Sequence, residues 1–258
     1  MSDEKKVVLI TGGAMGQGRA HAVKYAENGF NVVLADMLDP EDERFQETIR
    51  ELKALGAEVL AKKANICSTP DMESLFAEAW EKFGRLDVVI ANAGVINFGN
   101  TWELTDEQVE KVINIDLIGT WRTDKYATQY MLKQGFGRII NIASTRYQQN
   151  ECGWEAYGAS KGGLVSLTAS LCVSLHGTGI TVNAVSPGWI QVDDYDSLSP
   201  CDHSQHPSGR VGKPEDVCNA CLFLAGEENG FVNGVNLPVD GGMTRRMIYP
   251  ETDPLWTE

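Results

Sequence analysis

The sequence predicts an α/β fold, a single doubly wound domain whose parallel seven-stranded sheet carries helices on both faces. Three observations lead there. Short apolar runs alternate with helix-period segments from one end of the chain to the other. Those runs lack in–out alternation, the mark of strands covered on both sides. No internal repeat, low-complexity tract or Pro/Ser linker divides the 258 residues, so one domain over 1–258 accounts for the length.

The elements follow in order. "KVVLITGG" reads as a first strand, and "GRAHAVKYAENG" as a helix closed by glycine. "NVVLAD" is the second strand, followed by the helix "DERFQETIRELKALG", which also ends in Gly. "EVLAKKANI" is the third, with the helix "TPDMESLFAEAWEKFG" after it. "LDVVIANAG" is the fourth, leading to a long helix over 105–119 that extends to about 134. "GRIINIAS" is the fifth, and the helix after it holds Tyr157 and Lys161. "ITVNAVSPG" is the sixth; a polar, aromatic loop and the helix "PEDVCNACLFLAG" separate it from the last strand, "GVNLPVDGG". Residues 193–209 lack periodicity, and a loop of that length is usually functional or mobile. The substrate loop is expected over about 189–212 and a tail over 243–258.

Composition narrows the function. A net charge of −14, from 22 basic and 36 acidic side chains, argues against nucleic acid, which needs clustered Lys and Arg. Apolar runs such as "VVLI" are far too short to cross a bilayer, and no signal-peptide core precedes the first strand. Six scattered cysteines suit reduced thiols, so a cytoplasmic protein without membrane partners is expected. Cys218 and Cys221 fall on an apolar helical pattern with no second pair at ligand spacing, and read as packing residues. His203 and His206 share a loop without a fixed third ligand; no metal is expected.

The phosphate-binding signal lies at the end of strand one. "TGGAMGQG" places Gly12, Gly16 and Gly18 between a strand and a helix, where glycine permits a tight turn and close approach of a pyrophosphate to the helix N-terminus. Asp36 falls 18 residues beyond Gly18, at the end of strand two. A carboxylate there accepts hydrogen bonds from the adenosine ribose hydroxyls and repels a 2′-phosphate, and Met15 and Met37 supply no cation for one. NAD is therefore expected over NADP. Tyr157 and Lys161, four residues apart, share one helix face, although that spacing alone also suits an ordinary surface pair.

Taken together, "TGGAMGQG", "NAG" at 92–94, Asn114 in "VINIDLIG", Ser144, Tyr157, Lys161 and "PG" at 187–188 resemble the short-chain dehydrogenase/reductase family over essentially the whole chain. The resemblance implies a Rossmann fold and an alcohol–ketone oxidoreductase. Tyr157 would be the general acid/base, with Lys161 one turn away favouring its phenolate and binding the nicotinamide ribose. Ser144 would steady the substrate oxygen, and Asn114 would hold a water beside Lys161. The small residues between Tyr157 and Lys161 would leave room for cofactor and substrate. Cofactor contacts would come from Gly12, Met15, Gly16, Gln17, Gly18, Asp36, Met37, Asn65, Ile66, Asn92, Ala93, Gly94, Tyr157, Lys161, Pro187, Gly188 and Ile190. Three positions depart from the usual pattern. Asn65 stands for an aspartate, Gln17 for an aliphatic residue and Val192 for a threonine. "GQGRAHA" resembles the glycine loop of carveol-dehydrogenase-like members.

The substrate wall would include Ser144, Arg146, Trp154, Tyr157 and Trp189. Its aromatic character favours a bulky ketone or secondary alcohol such as a hydroxysteroid, with a 3-oxoacyl thioester or a sugar as alternatives. Arg146 would pair with a substrate carboxylate or, more simply, with a surface acid. A dinucleotide-binding sensor is the non-enzymatic alternative. A homotetramer or homodimer is expected, with tail residues Ile248, Tyr249, Leu255 and Trp256 packing on a neighbour or over a pocket.

Overall fold

The computed structural model describes residues 5–247. Its strands are β1 (Val7–Thr11), β2 (Asn31–Asp36), β3 (Val59–Lys63), β4 (Val88–Ala91), β5 (Gly137–Ile142), β6 (Ile180–Pro187) and β7 (Asn236–Val239). They form one sheet in the order β3-β2-β1-β4-β5-β6-β7, every pair parallel. The order reverses between β1 and β4, so the chain leaves those two strands in opposite lateral directions and opens a crevice at their carboxyl ends. The expected tail contacts of Ile248, Tyr249, Leu255 and Trp256 lie outside the described residues.

The strands read as unbroken apolar runs because both faces are buried. Val8, Ile10, Val32 and Leu34 point to one face, where they meet Tyr25 of α1 (Gly16–Glu27), Phe45 and Leu52 of α2 (Glu43–Ala54), and Val217 and Leu224 of α8 (Pro214–Ala225). Val7, Leu9 and Val33 point to the other, against Met72 and Phe76 of α3 (Thr69–Phe83) and Met131 of α5 (Thr120–Gln134). Full burial of a side chain of this size stabilises by about 1.5–3 kcal/mol. The α6 helix (Glu155–Ser174) packs on that second layer beside β6.

Two segments depart from the sequence reading. The helix expected over 105–134 begins as α4 (Asp106–Val112), capped by a Thr105–Gln108 capping box, and ends at Gly135 in the left-handed region. Its middle, Ile113–Gly119, is a π-helical turn. An extra residue there shifts the helix's phase without breaking the rod, a local cost that recurs at functional sites. Hydropathy does not register so small a change. The loop over 193–209 contains a short turn, Tyr195–Ser197, and α7 (Pro200–Ser204).

Candidate active site

The glycine loop joins β1 to α1. Gly12, at φ 66°, turns the chain out of the strand, and a Cβ on Gly18 would lie 1.9 Å from the Gly12 carbonyl oxygen. Only glycine lets the helix start so close to the strand end. The Met15 side chain caps nothing, which leaves first-turn amides of α1 without a side-chain partner. Thr11, at the end of β1, and Asn92, just after β4, brace the loop. The Thr11 hydroxyl accepts from the Asn92 and Ala93 amides at 3.1 Å each, and the Asn92 amide donates to the carbonyls of Thr11 and Gly12. Sequence reasoning missed Thr11; a hydroxyl at the last position of strand one was the available signal.

Asp36 closes β2 with one oxygen accepting from the Ala14 amide at 3.0 Å and the other from Leu38 at 3.1 Å. These bonds fix the carboxylate beside the loop while leaving acceptor capacity on both oxygens. Met15 and Met37 flank it, exposed. Arg44, within electrostatic reach of Asp36, is doubly engaged by Asp42 at 2.9 and 2.8 Å. Uncapped amides, a glycine cradle and an anchored carboxylate fit a dinucleotide with free ribose hydroxyls.

Other expected cofactor residues are placed unevenly. The Gln17 side chain turns away from the cradle, donating to the Pro214 carbonyl at 3.2 Å and meeting His21 and Cys218 between α1 and α8. Only its backbone remains for a cofactor. Asn65 uses its side-chain oxygen on the Cys67 amide, and the carbonyl of buried Ile66 accepts from Arg122. Gly94 lies close to Lys161: a Cβ there would be 3.5 Å from its Nζ. Gly188 passes so close to Asp240 that a Cβ would be 2.8 Å from its Cβ. Beyond Pro187 and Gly188, Ile190 bridges to Gly212, and Val192 faces Gly16.

The end of β5 and the start of α6 bring Ser144, Tyr157 and Lys161 together. Lys161 Nζ lies 5.4 Å from the Tyr157 ring centroid and donates to the Ile142 carbonyl at 2.9 Å. Burial pushes the Tyr157 phenol up to about 12; the Ser144 hydroxyl hydrogen-bonded to it pulls down, Asp116 pushes up, and Arg146 pulls down. Burial also lowers the Lys161 ammonium, against the pull of Asp116. Two glycines after Tyr157 are required by the protein's own packing. A Cβ on Gly158 would meet Asn150 Oδ1 at 2.4 Å, and one on Gly163 would meet Leu117 at 2.8 Å.

Asn114 is not where the sequence expectation put it. It is exposed, and its carbonyl meets the Cys67 thiol across the surface. The side chain facing Lys161 belongs to Asp116, wholly buried, with Oδ2 3.8 Å from Nζ. Residues two apart on a helix point to nearly opposite sides, so a two-residue error exchanges inside for outside. Asp116 stands in the π turn, and its Oδ1 accepts from the Val95 amide at 2.8 Å. Burial raises this carboxylate, while Lys161 and the Val95 amide lower it.

Aromatic side chains wall the opening beside Tyr157. Trp154 stacks on Phe98 with ring centroids 5.5 Å apart and meets Tyr157 edge-on at 5.6 Å. The Arg146 guanidinium lies 4.8 Å over Trp154 and pairs with Glu151, the simpler of its two expected roles. Trp189 donates to Gln191 and packs near buried His206. His203 accepts from the Val211 amide, so that imidazole shapes the loop.

With this geometry the chain can be compared with known proteins. A family model described as enoyl-(acyl carrier protein) reductase matches residues 12–244. An uncharacterized oxidoreductase of Thermotoga maritima is 42% identical, over 96% of this chain and 99% of its own. A subunit of (2S)-[(R)-hydroxy(phenyl)methyl]succinyl-CoA dehydrogenase from Thauera aromatica is 35% identical, over 94% and 98%. Among solved structures, carveol dehydrogenase from Mycobacterium avium in complex with NAD superposes with a TM-score of 0.87 at 28% identity, over 95% of this chain and 99% of that one. The chain belongs to the short-chain dehydrogenase/reductase family and is an oxidoreductase on the Rossmann fold.

Proposed function

We propose that the protein interconverts a secondary alcohol and a ketone with NAD(H), using Tyr157 as general acid/base. The observation that carries this is the Tyr157 phenol, with Ser144 hydrogen-bonded to it and Lys161 one turn away, beside the glycine cradle. NAD is the cofactor: its pyrophosphate would lie on the amides of Gly16–Gly18, its ribose on Asp36, and Asn92–Gly94 would flank it. Bound there, it supplies or takes the hydride. Ser144 orients the substrate oxygen, Tyr157 gives or takes the proton at Oη, and Lys161 steadies the phenolate.

The stacked Phe98–Trp154 pair supports a bulky, ring-bearing substrate such as a hydroxysteroid. A 3-oxoacyl or hydroxyacyl thioester is the second reading, favoured by the Thauera relative, whose name carries both a phenyl-substituted alcohol and a coenzyme A thioester. One domain over 1–258, with its substrate loop near 189–212, forms a cytoplasmic homotetramer or homodimer. Exposed Ile118 and Trp121 on the long helix support that assembly, and no described helix is long and apolar enough to cross a membrane.

The test is a panel of hydroxysteroids, cyclic alcohols, acyl thioesters and sugars followed by NADH absorbance. Turnover of a ring-bearing alcohol or its ketone is expected. Turnover confined to thioesters would select the second reading, and none at all would remove the enzymatic one.

A further inference from the structure

Lys161 does not face the Tyr157 phenol as a lone cation. The Asp116 carboxylate lies 3.8 Å from its ammonium, and both side chains are cut off from water. Opposite unit charges that close cancel much of each other's field at a third point. Asp116 is also fixed in place: the Val95 amide donates to Oδ1, and the Ser160 hydroxyl lies 3.4 Å from Oδ2. The expected amide, Asn114, would bring no charge; the side chain actually present brings one.

Other charged or titratable groups face this cluster. Arg146, from the segment between β5 and α6, acts on the phenol, and Cys67, from the turn after β3, lies within electrostatic reach of both Asp116 and Arg122 of α5. Neither arginine competes with Lys161 for the Asp116 carboxylate. Arg146 is paired with Glu151 and Arg122 donates to the Ile66 carbonyl.

We propose that Asp116 is a positioning residue that offsets the charge of Lys161 and thereby keeps the Tyr157 phenol protonated through the neutral range. The chain is then poised to donate a proton to a carbonyl oxygen at neutral pH, and removal of a proton from an alcohol moves to alkaline pH. This rests on the acid/base reading of Tyr157. Both burial and the nearby carboxylate act in that direction on the phenol.

Asp116→Asn removes the charge and keeps an acceptor for Val95. The readout is tyrosinate absorbance against pH for each chain, minus that of the same chain carrying Tyr157→Phe. The Tyr157 titration should fall by about one pH unit, tenfold in the ionisation constant. The alkaline limb of kcat/KM for ketone reduction should move acidward with it. Lys161→Met should shift the titration the other way, and the double variant, again uncharged, should return it near the wild-type position. An unmoved titration in Asp116→Asn would overturn the proposal. So would a double variant that titrates like Lys161→Met, and this second comparison stands even if Asp116→Asn fails to fold. The titration needs no substrate. Expected shifts in a chain that turns over nothing would refute the acid/base reading and leave the charge compensation standing.

Discussion

The half of the crevice that fits a dinucleotide and the half proposed to move a proton are built from different materials. The first is backbone: amides at the start of α1, a glycine whose Cβ would collide with a carbonyl, and a threonine–asparagine brace. Its buried imidazole, His21, is pushed down to about 3 by burial and carries no charge near neutrality. The second half is side chain. Lys161 and Asp116 are ionisable and almost or wholly buried. The first half is therefore sensitive to volume, and the second to charge and pH.

The sharpest way to break this comparison is Tyr157→Phe, which deletes one oxygen from the half built of side chains. It should lower kcat at least about a hundredfold, ~2.7 kcal/mol, while NADH affinity measured by fluorescence titration stays near wild type. Retention of more than about a tenth of kcat would refute Tyr157 as the proton carrier.

A smaller effect is expected in the cradle. Wild type should prefer NAD(H) to NADP(H) at least about tenfold in kcat/KM, ~1.4 kcal/mol. Asp36→Ala should narrow that gap by removing the repulsion toward a 2′-phosphate. Equal efficiency with both cofactors in wild type would dismiss the role of Asp36.

A separate effect falls on stability rather than on turnover. Asp124, on α5, accepts from Asn141 of β5 at 3.1 Å, and burial pushes its carboxyl up to about 8. Between about pH 4 and 8 the unfolded chain ionises this group while the folded chain keeps it protonated. Stability therefore falls as pH rises through that window, by up to about 1.4 kcal/mol per unit. Asp124→Asn should remove the loss, so denaturant midpoints of variant and wild type should diverge from pH 5 to 8. A constant difference would show that Asp124 ionises normally in the fold. His21 carries the opposite liability, because stability held by its neutral ring is lost as pH falls from about 6.5 toward 3.

The backbone-built half was the more legible in the sequence. A strand, glycines at fixed spacing and an acid at the end of strand two leave traces in one dimension, since each acts through local chain geometry. Gln17 was the exception, because what its amide meets is Pro214 and Cys218 on a distant helix. Ser144, Tyr157 and Lys161 were placed together as expected, two of them sharing a single helix. Asp116 was missed for a physical reason. In "VINIDLIG" the polar residues Asn114 and Asp116 compete for the inward position, and the phase of a helix containing a π turn decides between them. Periodicity read at 3.6 residues per turn carries no information about such an insertion. Asp124 was hidden likewise, since an aspartate on a long helix normally faces solvent.

The π turn at Ile113–Gly119 also makes the long helix behave like a screw with one surplus thread. Losing one residue there would leave composition and hydropathy almost untouched, yet it would rotate all that precedes by about 100° relative to all that follows. Asp116 and the faces of α4 and α5 could not then keep their present partners together. Length drift in descendants of this chain should accordingly collect in the segment between β6 and α8 and be purged from a helix whose only visible change would be a single gap.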